Sequence, residues 1–368
     1  MRILANSELL SPNTGISVQT LEVTEELARR GHHVDLLYMQ DGPYRQRYEA
    51  FCDSMQEVTN FDLGVHHLIR DAPRLLPGIR LGVRSRPDVL YVNRYRPLPW
   101  ALTTGALSRS PVVCHLHGMI GMEHPPVNRV LGRLTTRFIC VSDFVRDRFL
   151  DLGGNPERTD VVHNGIDPDA YPPGGLDERR AARAVLGLPE DPLMVMYFGR
   201  IDPTKGVDVL VRALAGLDTS GRAVELLVVG SAYDEEWATR TLAGSPVPVR
   251  RLPMRTDVVT PLHAADLVVV PSVVEEAFGR TVIEGLATGR PVIGSDIGGV
   301  PEVLTGPLAR FLVPPGDVPA LTAAVDGALD WRQREPGLAE VCTGHVARNF
   351  TLRSMVDGVE ARLVEAAR

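Results

Sequence analysis

The residue type at position 205, a lysine, is unusual for this chain and suggests a chemical role. The chain has 39 lysine and arginine residues, and Lys205 is the only lysine among them. It lies in the segment GRIDPTKG together with Arg200, and a glycine stands at each end of that segment. A lysine ammonium is compact and flexible, whereas an arginine guanidinium is planar, so the two do not substitute freely for each other. Chance and two solvated surface cations are the simple alternatives, whereas the flanking glycines favour a ligand-binding loop, because they permit close approach of the backbone to a ligand.

Two glutamates in the segment PSVVEEAFGRTVIEG form a second candidate group. Glu276 and Glu284 are separated by seven residues, and a helix is expected to begin near Gly279. The first amides of that helix, those of Gly279, Arg280 and Thr281, would attract an anion. Glu276 could accept hydrogen bonds from sugar hydroxyls and Glu284 from a ribose diol, although an exposed helical glutamate is an equal alternative for Glu284. Glu275 is interpreted as a solvated neighbour.

Other motifs are weak or absent. Gly298 and Gly299 begin a further turn in SDIGGVPEVL, which alone predicts little. No GxxxxGK[ST] or GxGxxG pattern occurs at these turns, so neither a P-loop nucleotide site nor a dinucleotide site is supported. The DPD triplet at 167–169 is interpreted as turn chemistry and not as a metal site. We therefore expect no metal and no cofactor.

The elements that would position these residues are short apolar strands alternating with helices. Runs rich in valine, isoleucine and leucine are typical of strands buried on both faces in a parallel sheet. Such alternation predicts an α/β, doubly wound architecture. The predicted strands are 2–7, 33–39, 87–93, 111–118, 137–142, 193–200, 224–230, 266–272, 291–296 and 310–314.

The chain of 368 residues suits two domains. HNGIDPDAYPPGG interrupts the alternation with proline, glycine, asparagine and aspartate, so the linker is placed there. We predict an N-terminal Rossmann-like domain over 1–168 and a C-terminal Rossmann-like domain over 169–350. A final helix over 351–368 is predicted to pack back on the N-terminal domain.

Composition excludes several classes of protein. A formal net charge of -7 argues against general nucleic-acid binding, although a local basic patch leaves contact with a membrane surface open. The four cysteines are far apart, which makes disulfides or zinc unexpected. The first residues are typical of a strand and not of a signal peptide, and no apolar run is long enough to cross a bilayer. A soluble cytoplasmic protein is expected, with its oligomeric state open.

Taken in order, FGRIDPTKG, PSVVEEAFGRTVIEGLATGRPVI and GGVPEV resemble the retaining GT-B-fold glycosyltransferases of glycosyltransferase family 4. The E-x7-E signature of that family corresponds to Glu276 and Glu284, and NGID before the linker extends the resemblance. The N-terminal half matches more loosely. The resemblance implies GT-B architecture, in which two Rossmann-like doubly wound domains face each other across a cleft.

The resemblance also implies roles for individual residues. Arg200 and Lys205 would bind the donor diphosphate, Glu276 the donor sugar, and His117, in HLHG with His115, would face that sugar. These four are the predicted catalytic residues. The family has two glycines in the loop after the first strand, whereas here Gly15 is followed by Ile16. The donor base would lie near 251–254. The predicted donor-binding residues are Gly15, Gly199, Phe278, Gly279, Arg280, Thr281, Glu284 and Met254.

The predicted activity is transfer of a sugar from a UDP- or GDP-sugar to a small polar or glycosidic acceptor. The resemblance implies retention of the anomeric configuration through an oxocarbenium-like front-face displacement. Natural-product or glycoconjugate biosynthesis in a bacterium is one setting for it. A sugar-nucleotide epimerase, a phosphorylase relative and a non-catalytic nucleotide-sugar-binding module on the same fold remain alternatives. The intact motif residues favour the transferase.

Overall fold

The structure is a computed structural model that describes residues 1–12, 14–62, 68–219 and 221–368, with the side chains of all of these except 68–72. The chain divides into two compact units. Unit 1 comprises Met1–Asn164 and Leu352–Arg368, and unit 2 comprises Gly165–Thr351. The division follows residue 164, whereas the sequence places it after 168. The difference lies within the predicted linker.

Parallel strands form the centre of each unit. The strands in the described residues are β1 (Arg2–Leu9), β2 (His33–Gln40), β3 (Ser54–Glu57), β4 (Val89–Val92), β5 (Val112–Leu116), β6 (Arg137–Cys140), β7 (Thr159–Val161), β8 (Leu193–Phe198), β9 (Val224–Val229), β10 (Val249–Leu252), β11 (Leu267–Val270), β12 (Val292–Ser295) and β13 (Leu312–Val313).

Helices connect these strands. They are α1 (Gly15–Arg29), α2 (Arg45–Glu49), α3 (Leu68–Ser85), α4 (Leu98–Ser108), α5 (Pro125–Leu134), α6 (Asp143–Asp151), α7 (Leu176–Leu186), α8 (Val207–Leu214), α9 (Glu235–Ala243), α10 (Val259–Ala264), α11 (Arg280–Ala287), α12 (Val300–Val303), α13 (Val318–Ala328), α14 (Trp331–Arg334), α15 (Leu338–Asn349) and α16 (Leu352–Ala367). Short 3₁₀ turns include Pro203–Lys205.

The two sheets confirm the predicted α/β doubly wound fold. Unit 1 has the strand order β3-β2-β1-β4-β5-β6-β7, and unit 2 has the order β10-β9-β8-β11-β12-β13. All recorded pairings between named strands are parallel, beginning with Ile3 opposite both Val34 and Val89. Each of the ten predicted strands overlaps an observed one. The strands that the sequence analysis missed are β3, β7 and β10, which lie at sheet edges.

The edge position explains why those three strands were missed. Their sequences are SMQE, TDV and VRRL, and their residues are half-buried or exposed. A strand at an edge is not covered on both faces, so it lacks the continuous apolar run by which a central parallel strand is recognised.

Helix α16 packs against the apolar core of unit 1. Met355, Val356, Val359 and Leu363 are buried with Ile3, Leu21 and other residues of β1 and α1. Around this contact, Arg30 pairs with Glu360 at 2.6 Å. The apolar stripe of the terminal helix therefore completes the core of unit 1, although the helix follows unit 2 in the chain.

None of the helices in the described ranges combines the length and the apolar character that crossing a bilayer requires. The four cysteines are free thiols, of which Cys114, Cys140 and Cys342 are buried.

Candidate functional site

The three motif loops of unit 2 follow three neighbouring strands. GRIDPTKG follows β8, the E-x7-E segment follows β11, and the Gly298–Gly299 turn follows β12. In the sheet, β8 pairs with β11 and β11 with β12. The connection reverses direction between β8 and β11, and ligands of open parallel sheets bind at such a point, beyond the carboxyl ends of the strands. The candidate site is therefore at this edge of unit 2.

Arg200 lies in the loop after β8 and is held by two neighbours. Its Nε donates to a carboxylate oxygen of Asp202 at 3.0 Å. Its guanidinium also lies 5.4 Å from the ring centre of Tyr233, a contact within the range of a cation–π interaction. Burial alone would raise the pKa of Asp202, but hydrogen bonds from Thr204 and the charge of Arg200 outweigh it, and the pKa is lowered. Arg200 is thus a charged, positioned and still 43% exposed group.

Glycines bring the loop after β8 and the loop after β9 into contact. Gly230 has φ of 155°, and a Cβ there would lie 1.8 Å from the carbonyl oxygen of Gly199. The backbone then pairs Ile201 with Ser231 at 2.9 Å. Only glycine fits at 230, and this close approach places Tyr233 beside Arg200.

Lys205 ends the 3₁₀ turn before α8 and forms an ion pair with Glu276. The distance from Nζ to Oε1 is 2.6 Å, and the two side chains are 25% and 19% exposed. The hydroxyl of Ser272 donates to the same carboxylate oxygen. At Gly206, φ is 71° and a Cβ would lie 1.9 Å from the carbonyl oxygen of Pro271, so this glycine lets the two loops touch.

The Gly298–Gly299 turn supports the backbone of Glu276. The amide of Gly299 donates to the carbonyl of Glu276 at 2.8 Å. Gly298 has φ of 64°, and a Cβ there would lie 2.2 Å from the same carbonyl oxygen. The third motif predicts little in the sequence alone, but the structure explains its two glycines, because they allow the Glu276 loop to pack against this turn.

Glu284 is buried on α11, with 5% of the residue exposed. Its Oε1 accepts hydrogen bonds from Arg280 Nε at 2.8 Å and from the hydroxyl of Tyr171 at 3.0 Å. The alternative of an exposed helical glutamate is therefore wrong. Whether Glu284 contacts a ribose remains a prediction, and a ligand that did so would have to share it with Arg280 and Tyr171.

At the N-terminus of α11, the side chains of Phe278 and Arg280 are engaged within the protein, so a ligand there would meet mainly backbone groups. Gly279 is the residue before the helix, with φ of 102°. The ring of Phe278 is 2% exposed and packs edge-on against Phe350, 5.6 Å between ring centres. The side chain of Arg280 turns back along the helix to Glu284, while Thr281 is half-buried. This geometry suits the prediction that Phe278, Gly279 and Arg280 act through their backbone.

The position predicted for the donor base lies just beyond β10. Met254 is half-buried there. The side chain of Arg251, on the same strand, is engaged in two hydrogen bonds to Glu235, at 2.7 and 2.9 Å. A ligand near 251–254 would accordingly meet backbone and the Met254 side chain. This placement stays a prediction.

Chemically, the unit 2 site consists of two cation–carboxylate pairs, Arg200 with Asp202 and Lys205 with Glu276. Each cation keeps an exposed portion. An entering diphosphate would bring negative charge to both cations, and the carboxylates would then be free to accept hydrogen bonds from hydroxyl groups. Among the four, only Asp202 was not singled out from the sequence.

Unit 1 carries its own group of polar residues around the end of β5. His117 directly follows this strand, and its Nδ1 lies 3.0 Å from Gln19 Oε1. His115 Nδ1 lies 2.7 Å from the hydroxyl of Tyr91, and the two histidine rings are 4.1 Å apart. Within the described part of the chain, the buried Nε2 atoms of His115, His117 and Gln19 have no hydrogen-bond partner. The contact with Gln19 Oε1 requires the proton on Nδ1 and leaves Nε2 of His117 as an acceptor.

Burial keeps both histidines neutral. It lowers the pKa of His117 to about 3. Burial likewise lowers the pKa of His115 well below its usual range, and the nearby His117 lowers it further. At neutral pH, Nε2 of His117 can accept a hydrogen bond from a hydroxyl, but the ring carries no positive charge that would attract a phosphate.

We expect the stability of unit 1 to fall as the pH is lowered below about 6.5, the ordinary pKa of histidine. Below that pH, His117 binds a proton in the unfolded chain, whereas in the folded unit it stays unprotonated until the pH falls to about 3. Linkage makes this worth about 2 kcal/mol for His117 between pH 7 and pH 5. Urea unfolding at the two pH values measures it. His117→Asn should remove that share of the pH dependence, and an unchanged pH dependence in this variant would contradict the assignment.

Gly15 opens α1, whose cap is the side chain of Thr14, which accepts from the amide of Ser17 at 3.2 Å. A Cβ at Gly15 would meet nothing within 4 Å, and its φ is not in the left-handed region. The fold itself therefore does not require glycine here. Asn13 lies outside the described residues.

In the unit 2 site, the sequence analysis missed Asp202, Ser272, Tyr233 and Tyr171. Two of them had a usable signal, since Asp202 precedes Pro203 as a turn residue and Ser272 directly follows a buried strand. Tyr171 and Tyr233 had none, because each contacts a motif residue that is distant in the chain.

Two family models match the chain. Glycosyltransferase Family 4 matches residues 13–170, and Glycosyl transferases group 1 matches residues 192–330. The D-inositol 3-phosphate glycosyltransferases of Mycobacterium bovis and Mycobacterium tuberculosis are 39% identical over 186 residues. The match covers 48% of this chain and 37% of those relatives, so the chain spans little more than a third of their length.

Solved structures with the same fold cover the whole chain. HepE of Anabaena, in complex with UDP and glucose, is 23% identical with a TM-score of 0.85, covering 99% of this chain and 100% of that one. A glycosyltransferase of Rickettsia africae is 20% identical, also with a TM-score of 0.85, covering 100% and 98% of the two chains. These likenesses confirm the predicted GT-B fold.

Proposed function

Since glycosyltransferase family models match both units of the chain and the fold is GT-B, we propose that the protein transfers a sugar from a nucleotide-diphosphate sugar to a small polar or glycosidic acceptor. The observation that carries this proposal is the pair of cations at the strand ends of unit 2. Arg200 and Lys205 are supplied by one loop, and each is held by a carboxylate.

The leaving diphosphate would be stabilised by these two cations. Its departure from the sugar develops negative charge, and positioned cations at that place lower the free energy of the transition state. Their presence supports a reaction that needs no metal, because they would supply the charge neutralisation that a divalent ion supplies elsewhere. Glu276, freed from Lys205 by the incoming charge, would accept hydrogen bonds from the donor sugar.

We expect retention of the anomeric configuration. The bond from the sugar to the diphosphate oxygen would break through an oxocarbenium-like state, and the acceptor oxygen would bond to the anomeric carbon from the same face. The acceptor proton would pass to the departing phosphate oxygen. The neutral His117 would accept a hydrogen bond from a sugar hydroxyl and would not supply a proton at physiological pH.

The similar proteins suggest which substrates to test first. HepE has been solved with UDP-glucose, which supports a UDP-hexose as donor, with GDP-sugars as the alternative. The mycobacterial relatives are named for D-inositol 3-phosphate, which supports a phosphorylated cyclic polyol as one acceptor.

The test is a panel of UDP-, GDP- and ADP-sugars, each offered with and without inositol phosphates, followed by measuring nucleotide release and sugar products. A transferase releases the nucleoside diphosphate in step with a new glycoside. The same panel repeated with EDTA tests the proposed independence from metal.

Other results would contradict the proposal. Saturable nucleotide-sugar binding without any release of nucleoside diphosphate would favour a binding module. A change in sugar configuration with the nucleotide still attached would favour an epimerase. Loss of activity in EDTA, restored by a divalent metal, would overturn metal independence while leaving sugar transfer in place.

A further inference from the structure

The outer face of α5 exposes apolar side chains that a helix of a parallel α/β fold normally buries. Val127, Val130 and Leu134 are 38%, 54% and 61% exposed. Their spacing of three and four residues puts them on one side of the helix. The inner face instead carries Asn128 and Gly132, both buried. A polar residue is therefore buried on this helix while three apolar residues are exposed.

The orientation of α5 is fixed by the buried Asn128. Its side-chain oxygen accepts from the hydroxyl of Tyr95 at 2.7 Å, and its amide nitrogen donates to the carbonyls of Met122 and Leu152 at 2.9 and 2.8 Å. Turning the helix to bury its valines would break three hydrogen bonds and expose this network. The apolar residues therefore stay on the surface.

Positive charge accompanies these apolar residues. Arg129 and Arg133 are exposed on the same helix, and neither α5 nor the adjoining α4 contains an acidic residue. Helix α4 adds an exposed Leu107 and Arg109 at its C-terminal end. We call Val127, Arg129, Val130, Arg133 and Leu134 the α5 patch. It is a local cationic surface on a chain whose formal net charge is -7.

Exposed apolar residues alone do not distinguish the patch. Helix α7 of unit 2 exposes Leu176 and Val185, at 53% and 76%. There, however, Asp177 and Glu178 stand in the first turn among arginines, so the charge is mixed. The α5 patch differs in that both charged residues of its helix are basic.

This charge argues for one kind of partner. A second copy of the chain, docked by the same face, would bring Arg129 and Arg133 against themselves with no acidic residue of α5 or α4 to compensate. An anionic lipid surface satisfies both features: it attracts arginines, and its acyl boundary accepts valine and leucine side chains.

We propose that the α5 patch docks the protein onto the surface of an anionic bilayer. The contact is peripheral: the helix lies in the interface, with Val127, Val130 and Leu134 inserted and the two arginines beside lipid phosphates. The proposal does not depend on glycosyl transfer, because vesicle binding is measured without any donor or acceptor.

The test is co-sedimentation of the full chain with vesicles of phosphatidylcholine, alone or with about 30% phosphatidylglycerol. We expect binding to the anionic vesicles only, weakened by about 0.5 M NaCl. Arg129→Ala/Arg133→Ala should lower the partition constant about 30-fold, since each basic residue near such a surface contributes roughly fivefold. Val130→Glu/Leu134→Glu should lower it by about tenfold or more.

The matched control is Leu176→Glu/Val185→Glu on α7, which should bind like the unchanged protein. Equal binding to neutral and anionic vesicles, no binding to either, or an equal loss in the α7 control would overturn the proposal. So would a dimer, seen by light scattering, that Val130→Glu/Leu134→Glu dissociates. Thermal unfolding verifies that each variant is folded. If the glutamate variant is unfolded, the arginine variant, which is altered only at exposed side chains, tests the proposal on its own.

Discussion

Replacing Lys205 by alanine is expected to lower kcat by about 10²-fold or more while leaving the protein folded. The ammonium lies 2.6 Å from Glu276 and is 25% exposed, so the side chain belongs to the site and not to the core. Removing one positioned group that stabilises developing charge costs other enzymes about this much. Single-turnover and steady-state rates with the active nucleotide sugar, together with a thermal unfolding curve, measure both parts of the prediction.

Arg212→Ala is the matched control. Arg212 pairs with Asp208 at 3.2 Å on the exposed side of α8, the helix that directly follows the Lys205 turn. It is a cation–carboxylate pair close in the chain to Lys205, and its loss should change kcat by less than twofold. If both alanine variants lowered kcat equally, the effect would reflect net charge and not the site.

Lys205→Arg separates the chemistry of lysine from positive charge in general. A guanidinium is larger than an ammonium and cannot make the same compact contact with Glu276 while the Ser272 hydroxyl occupies the same oxygen. We expect this variant to lose most of its activity. Full activity would show that the lone lysine is an accident of composition, even with glycosyl transfer intact.

Lys205→Ala and Glu276→Gln should not be additive. The two residues touch, and contacting residues usually show coupling between their substitutions. If Lys205 and Glu276 act as a unit, the double variant should be little slower than the slower single variant. Strictly multiplied effects would mean that the ion pair seen here has no part in the reaction.

Asp266→Asn is expected to have the largest effect on stability. Asp266 precedes β11, its side chain is 2% exposed, and it accepts from Arg179 Nε at 2.9 Å, Arg183 Nη2 at 2.7 Å and Arg332 Nη1 at 2.6 Å. The amide of Met194 donates to the same carboxylate at 2.8 Å. One buried carboxylate thus compensates three guanidinium groups.

Losing that carboxylate leaves buried cations without a counter-charge. Burial already lowers the pKa of Arg183 and of Arg332, and the charge of Asp266 opposes that effect. Breaking a buried ion pair from one side costs about 3 to 5 kcal/mol in the free energy of unfolding. For a unit of this size the midpoint of thermal unfolding should fall by about 10 °C. Calorimetry checks this, and the transition that moves should be that of unit 2.

Asp208→Asn provides the comparison. Asp208 is 38% exposed and pairs with a single arginine on the surface, an arrangement that contributes at most about 1 kcal/mol. Similar losses for Asp266→Asn and Asp208→Asn would refute the idea that the arginine cluster depends on its one carboxylate.

Local sequence patterns were sufficient to predict the central strands and the motif loops. Val89–Val92 and Leu267–Val270 are continuous apolar runs because they are covered on both faces, and such runs are visible in the sequence alone. Gly206 and Gly279 marked the turns correctly, since their positive φ angles favour glycine. The edge strand Val249–Leu252 was missed because half-covered strands carry no such run.

By itself, the sequence determined the fold class and the loops that carry Arg200, Lys205, Glu276 and Glu284, because these depend on residues close together in the chain. Only the tertiary structure decided the partners. Strand order brings Lys205 to Glu276, and the packing of segments outside the sheet brings Tyr171 to Glu284 and three arginines to Asp266. The lone lysine is therefore one half of an ion pair, a relation that depends on which strands are neighbours and that no local pattern records.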